Sequence, residues 1–317
     1  MGKATNLWNN HLRPFTQNVF FNTIGQLSVR LFGSVDGRKL KYEVSLCLIF
    51  KDEGRFLKEW LDYHLTIGVD HFYLYDNNST DDYKSVVQPY IDRGVVTLID
   101  WPYQQAQVKC YKHCLETYCN ETKWIGYIDA DEFICPKYAP TIKKWLAGYA
   151  KFPAVVIDWL QFGTNGLIDH DYSRNVIEQY FSCWENFWMG KSFVNTRYRI
   201  SNWHTQYFHH HSYVYYKVFG IKMSMPAVNQ FGFISPMGHA WGGGKDRVKN
   251  ATIHINHYYT KAWNVYQEKM QRPDVYFAKN AKDVQKLITR EMKCTEKNYT
   301  ILRFLQIMRY DNGEITL

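Results

Sequence analysis

Trp124-Ile125-Gly126-Tyr127-Ile128-Asp129-Ala130-Asp131-Glu132-Phe133 is the stretch on which the fold turns. A short, mostly apolar run leads straight into acidic residues. Such a run reads as a buried strand. Asp129 and Asp131 then stand one residue apart where the strand ends. Two carboxylates so placed can share a divalent cation, and hard oxygen ligands favour Mg2+ or Mn2+. A D-x-D pair alone recurs by chance in exposed acidic turns. Its weight here comes from the context that precedes it.

That context is an alternation. Glu43 to Phe50 reads as a buried strand, and Lys51-Asp52-Glu53-Gly54 as a turn. Arg55 to Ile67 carries Phe56, Trp60, Tyr63 and Leu65 on a broad apolar face and predicts a helix, stopped by Gly68. Val69 to Tyr75 is a second strand. The polar run Asp76 to Asp82 follows it and is rich in helix-capping residues. Tyr83 to Arg93 is a second helix closed by Gly94, Val95 to Ile99 a third strand, and Ala106 to Tyr118 a third helix. Four strands joined by three helices imply a mostly parallel sheet with helices on both faces. Ligands of such sheets bind beyond the carboxyl ends of the strands. Asp52-Glu53, Asp76-Asn77-Asn78 and Asp129-x-Asp131 all fall at strand ends, so they should converge on one edge.

Beyond Phe133 the pattern is less regular. Ala154 to Phe162 predicts a strand and Gly163 to Gly166 a loop; residues 176–220 read as short aromatic-rich strands. Gly242 to Gly244 is a flexible loop. Ala251 to His257 is a strand leading into a helix near Lys261 to Met270, and residues 280–310 read as helical. Residues 1–41 carry Lys3, Arg13, Arg30, Arg38, Lys39 and Lys41 against a single acid, Asp36. Val19 to Phe32 can form a basic amphipathic helix, suited either to packing on the main domain or to an anionic membrane surface. The expected organisation is a basic extension over 1–42, one domain over 43–275 and a helical extension over 276–317.

The composition is that of a packed globular protein, 46% hydrophobic and 21% charged. The net charge of +8 suits phosphorylated ligands, nucleic acid or anionic lipid. No zinc-finger spacing, basic heptad region or RNA-binding signature is present, which leaves nucleic acid a weak partner. Seven cysteines without a C-x-x-C pair suit reduced thiols rather than a disulfide framework or structural zinc. No signal-like start or membrane-spanning apolar run is seen, so the N-x-S/T triplets read as chance. The expected location is cytoplasmic, with contact on the inner face of the membrane through the N-terminus as a second expectation.

Three further segments carry a resemblance. Phe50-Lys51-Asp52-Glu53, Leu57 to His64 and Ile67 to Ser79 resemble family 2-like and family 92 glycosyltransferases. Trp124 to Phe133 and Ile255-Asn256-His257-Tyr258-Tyr259-Thr260-Lys261 continue the likeness, which covers roughly 43–270. It implies a GT-A fold: a Rossmann-like mixed α/β sheet flanked by helices. It further implies an inverting hexosyltransferase of polysaccharide biosynthesis that uses a nucleotide-sugar donor. UDP-sugars come first, with UDP-galactose favoured, and the acceptor is a glycan or lipid-linked sugar.

The same resemblance distributes roles. Asp52 and Glu53 would hold the base and ribose, and Asp76 with Asn77 the nucleoside. Asp129 would lie on the ribose or metal side and Asp131 on the metal. His257 matches a late histidine that completes the metal site, which favours Mn2+ over Mg2+. Lys191 stands where related sequences have a basic residue to neutralise a leaving phosphate. Each has a plainer alternative: an Asx turn for Asp76, a core histidine for His257, a solvated lysine for Lys191. Asp158, Glu178 and Glu185 are the acids in the right stretch for a catalytic base, and Trp159 lies near the expected acceptor side.

Three other readings compete. A sugar nucleotidyltransferase would carry a Gly-rich basic loop after the first strand, where Lys51 to Arg55 has one glycine. A hydrolase with a histidine metal cluster would draw on His204, His209 to His211, His254 or His257, but consecutive strand residues point to opposite faces. A non-catalytic sugar-binding protein on the same scaffold would hold sugar without releasing UDP.

Overall fold

The computed structural model describes residues 37–104, 106–187, 189–198, 213–218, 221–232, 245–271 and 284–316, with residues 27 and 31. The first half contains β1 (Tyr42–Phe50), α1 (Gly54–Thr66), β2 (His71–Asp76), α2 (Tyr83–Asp92), β3 (Val96–Asp100), α3 (Gln107–Tyr118), β4 (Thr122–Tyr127), β5 (Glu132–Pro136) and α4 (Ile142–Leu146). Next come β6 (Ala154–Phe162), α5 (Val176–Gln179), β7 (Ser182–Trp184), β8 (Gly190–Asn195), β9 (Tyr213–Val218), β10 (Ile221–Pro226) and β11 (Val228–Asn229). The last are α6 (Lys245–Asn250), β12 (Ile253–His257), α7 (Trp263–Gln271), α8 (Val284–Glu291), β13 (Glu296–Lys297) and α9 (Leu305–Asp311).

Strands β3, β2, β1 and β4 lie side by side in that order, all parallel. The side chains of β1 show why helices cover both faces. Val44, Leu46, Leu48 and Phe50 join the larger core with Phe56, Leu57, Trp60 and Leu61 of α1 and Val87 and Tyr90 of α2. Cys47 and Ile49 point the other way, toward Cys110, Tyr111 and Cys114 of α3. Successive strand residues face opposite sides, so a strand apolar at every position must be covered twice. Gly68 and Gly94 end the first two helices at φ +93 and +71, a left-handed backbone that glycine adopts without strain.

The parallel order stops at β4. β8 pairs antiparallel with β4, and β6 antiparallel with β8. The fully buried β6 then divides its partners. Ala154–Asp158 pairs with β8, while Trp159–Gln161 pairs in parallel with β12. β12 runs antiparallel to β5, in a register that sets His257 opposite Glu132. The expected mixed sheet flanked by helices is thus present, and its β5-β12-β6 portion carries a late histidine to the end of β4.

Some local expectations are revised. Val176–Gln179, inside the stretch read as strands, is a helical turn closed by a capping box of Asn175 and Glu178; four residues are too few for helical periodicity to register. The stretch read as helical over 280–310 holds α8 and part of α9, but β13 interrupts it to pair with β7. The polar run after β2 does not cap α2 through Asp82, which makes no side-chain cap bond. Instead Asp76 Oδ1 accepts the Ser79 N–H at 2.9 Å. Asp81 Oδ2 accepts the Gly54 N–H at 2.7 Å and so serves the start of α1.

Of the predicted helix Val19–Phe32, only Leu27 and Leu31 are described, both helical and exposed. The Gly242–Gly244 loop, His204 and His209 to His211 lie outside the described residues. Among the described residues no helix is long and apolar enough to cross a membrane.

Candidate active site

β4 ends at Tyr127 and β5 begins at Glu132, so the acidic residues occupy a tight turn at the carboxyl edge of the parallel strands. The turn is pinned from the core. Trp60 Nε1, wholly buried on α1, donates to the Glu132 carbonyl at 2.9 Å and the Asp129 carbonyl at 3.1 Å. The Asp129 N–H donates to Glu132 Oε2 at 3.0 Å. The other predicted clusters share this edge: the Asn77 N–H donates to the Phe50 carbonyl, and Asp52 Oδ1 accepts the Thr80 N–H at 2.6 Å.

Asp129 has both oxygens engaged. Oδ1 accepts Tyr111 Oη–H at 3.0 Å and Gln107 Nε2–H at 3.3 Å; Oδ2 accepts Lys191 Nζ–H at 2.8 Å. Lys191 is itself buried, and Glu132 Oε2 lies 3.7 Å from its ammonium. Burial alone would lower the Lys191 pKa, but Asp129 and Glu132 outweigh it and hold the ammonium charged.

Asp131, Glu132 and His257 form a second cluster, the one group of three possible metal ligands among the described residues. One ligand atom from each lies within 4.8 Å of the others. His257 Nε2 is 3.5 Å from Asp131 Oδ1, and Gln161 Nε2 is 3.0 Å from His257 Nδ1. The Trp159 ring packs 4.6 Å from the imidazole. Lys269 of α7 donates to Asp131 Oδ2 and, at 3.2 Å, to the Tyr259 carbonyl. Burial pushes the Asp131 carboxyl up, yet Lys269 and His257 more than offset this and hold it well below the usual range. Glu132 is driven the other way. Enclosure raises its pKa well above the carboxylate range, beyond what Lys191 restores.

Glu132 Oε1 is buried and has no hydrogen-bond partner among the described residues. Buried polar atoms are normally satisfied. Two carboxylates and an imidazole around such an atom fit a divalent cation, and the mixed oxygen and nitrogen donors suit Mn2+. Asp131 and His257 are thus brought together as predicted. Asp129 stands beside the cluster, held by Tyr111, Gln107 and Lys191, and Glu132 completes it.

The remaining predicted residues fall in different places. Asp52 lines a cleft of about 530 Å³ with Gly54, Arg55, Thr80, Asp81 and Asp82, between the ends of β1 and β2. Glu53 is partly exposed at the start of α1. Asp76 is committed to the Ser79 turn and accepts Tyr83 Oη–H at 2.8 Å. Asn77 Nδ2 donates to the carbonyls of Trp101 and Tyr103, both at 2.8 Å, and ties down the loop after β3.

Among the base candidates, Asp158 is fully enclosed and accepts Gln230 Nε2–H at 2.9 Å. By strand alternation it faces away from Trp159 and Gln161. Glu178 caps α5 and pairs with Arg309 at 2.8 Å. Glu185 is partly exposed just beyond β7. Glu132 and Lys269 were missed from sequence. Glu132 had a signal, as the third acid of the motif, whereas Lys269 reads as one more charge on a helix.

The profile of glycosyltransferase family 92 matches residues 41–293. A family 92 protein of Ricinus communis is 41% identical over 93 residues, covering 29% of this chain and 17% of that protein. A family 92 protein of Oryza sativa subsp. japonica is 32% identical over 119 residues, 37% of this chain and 20% of that protein. The galactan beta-1,4-galactosyltransferase GALS2 of Arabidopsis thaliana is 25% identical over 166 residues, 48% of this chain and 32% of that protein. The matched segments thus span no more than a third of these relatives.

Among solved structures, Staphylococcus aureus TarS (residues 1–349) is similar over 38% of this chain and 36% of that one, at 13% identity and a TM-score of 0.32. The mannosyltransferase PcManGT of Pyrobaculum calidifontis, in complex with GDP-Man and Mn2+, is similar over 43% and 45%, at 16% identity and a TM-score of 0.29. The family profile spans the parallel sheet, the acidic turn and the strand bearing His257, and with that match the chain belongs to glycosyltransferase family 92.

Proposed function

We propose that this protein is a metal-dependent, inverting hexosyltransferase. It moves the sugar of a UDP-sugar, UDP-galactose first among them, to a hydroxyl of a glycan or lipid-linked acceptor. The observation that carries this is the Asp131–Glu132–His257 cluster, with its unsatisfied carboxylate oxygen, at the carboxyl edge of the parallel strands. Relatives named galactan beta-1,4-galactosyltransferases support galactose as the sugar and make a β-1,4-galactan end the first acceptor to try.

The geometry supports the following roles. Asp131, Glu132 and His257 would hold Mn2+ or Mg2+, which supplies charge stabilisation for the diphosphate leaving group. Gln161 and Trp159 fix the plane of the His257 ring from behind, and such outer contacts tune a metal-ligating imidazole. Lys191 neutralises Asp129 and so keeps the turn from repelling an anionic donor. Asp52 and Glu53 receive the nucleoside at the ends of β1 and β2. The sugar carbon passes through an oxocarbenium-like state, and a carboxylate takes the acceptor proton as the new bond forms. We assign Asp158 a structural role, since it is enclosed and faces the other side of β6.

Purified protein incubated with Mn2+ and a panel of nucleotide sugars should release UDP from one donor. Asp131→Ala should abolish that release. If the panel is silent, UDP binding decides. A protein that binds no UDP with or without Mn2+ is not a UDP-sugar transferase. Binding without release says that the acceptor is the missing component.

A further inference from the structure

The cations around the acidic cluster are of two kinds. Lys191 and Lys269 are paired with Asp129 and Asp131. Lys261 and Arg290 are not paired with any described carboxylate. Lys261 lies between β12 and α7 and is only 3% exposed. Its ammonium makes no hydrogen bond or ion pair among the described residues and rests 4.4 Å over the Phe56 ring. Its backbone is left-handed, φ +49, a conformation that a lysine holds only when its surroundings impose it. An enclosed ammonium without a partner is costly. Burial lowers its pKa, Glu53 and Asp131 act against that, and Lys269 adds to the lowering; in the fold it follows on the strand end that carries His257.

Arg290 comes from α8, in the segment beyond 275 where the sequence shows no motif. Its guanidinium lies 3.9 Å from the Tyr259 ring centre, and Lys269 Nζ lies 4.3 Å from the same centre. Its buried Nη1 has no hydrogen-bond partner among the described residues. Two elements distant in sequence therefore each bring an uncommitted cation to the site that holds Asp131 and His257.

We propose that Lys261 and Arg290 receive the diphosphate of the donor, while Lys191 and Lys269 act as internal counter-charges of the carboxylates. Guanidinium meets two phosphate oxygens in a planar fork, and ammonium serves as a compact point charge. This rests on the UDP-sugar reading and deepens it. It makes α8 part of the donor site rather than of a separate C-terminal extension.

The test compares UDP with UMP by calorimetry in Mn2+, on wild type, Lys261→Gln, Arg290→Gln and Lys261→Arg, with inorganic pyrophosphate as a third probe. A hydrogen bond to a charged group contributes enough that each Gln variant should lose about tenfold or more in UDP affinity. UMP affinity should change less, so the UDP-to-UMP preference collapses, and Lys261→Arg should restore most of it. The preference is internal to each protein, so a folding defect that weakens both ligands equally cannot mimic the result. A Gln variant that keeps the wild-type preference removes its residue from the proposal, and two such variants overturn it. A wild type that binds pyrophosphate through these residues but not UDP overturns the uridine reading and leaves the cation pair standing. A wild type that binds neither overturns both.

Discussion

Asp158→Asn separates a structural carboxylate from a catalytic one. Asp158 is wholly buried. Its Oδ2 accepts Gln230 Nε2–H, and its Oδ1 has no hydrogen-bond partner among the described residues. Burial pushes its carboxyl up to about 7, against smaller opposing effects from Gln230 and Arg247. In an unfolded chain an aspartate titrates near ~3.9. Between about pH 4 and pH 7 the folded chain therefore holds a proton that the unfolded chain has lost. Stability from this group falls as pH rises through that window, and the loss is complete above it. The difference amounts to about 4 kcal/mol at most, taking ~1.4 kcal/mol per pKa unit.

Asparagine does not ionise and keeps an oxygen for Gln230, but leaves a buried amide N–H unmet, which costs about 1–3 kcal/mol. The variant should match wild type near pH 5 and exceed it by about 1–3 kcal/mol at pH 8, the difference of these two terms. Urea unfolding of both proteins from pH 5 to pH 8 measures it. Other groups titrate in the same range, Glu59 among them, raised to about 7 by burial, so only the difference between the two curves counts. Parallel curves would refute the enclosure argument. UDP release should survive the substitution. A variant that folds with an unchanged pH profile and releases no UDP would make Asp158 the base after all.

Glu132→Gln should weaken Mn2+ binding about tenfold or more, as loss of a ligand or its close support does; electron paramagnetic resonance of free Mn2+ reads it, and unchanged affinity would move the ligand role to Asp129. Trp60→Phe removes the donor to the Glu132 and Asp129 carbonyls. It should cost about 1–3 kcal/mol in urea unfolding and weaken Mn2+ binding with it, whereas a destabilised variant with wild-type affinity would show that the turn holds its shape without Trp60. Gly190→Ala places a Cβ 2.3 Å from the Ile157 carbonyl oxygen, so β8 must move off β6. A loss of about 1–3 kcal/mol is expected, and an unchanged melting temperature would contradict the pairing of Asp158 with Gly190.

The parallel half of the sheet was legible because each of its elements is written locally. β1 is apolar at nearly every position, α1 carries a broad buried face, and Gly68 and Gly94 stop helices where only a left-handed residue fits. Chain order then sets strand order. The antiparallel half was not legible in the same way. β5, β7 and β13 are two to five residues long and pair with partners remote in sequence. β6 reads correctly as a strand, but nothing in Ala154–Phe162 announces that its first half will pair with β8 and its second with β12.

The site divides along the same line. Asp129 and Asp131 are visible because an apolar strand ends on them, and His257 because a resembling segment surrounds it. What the sequence does not carry is which acid meets which cation. Asp129 and Asp131 share one motif, yet Tyr111, Gln107 and Lys191 hold the first, while His257 and Lys269 face the second. The antiparallel register of β5 with β12 makes that choice, because it sets His257 opposite Glu132 rather than beside Asp129. A one-residue slip in that register would turn His257 to the other face of its strand and take the imidazole away from Asp131. The proposed metal site thus depends on the pairing of β12 as well as on the acidic motif, and changes that disturb β12 without touching an acid should cost Mn2+ affinity.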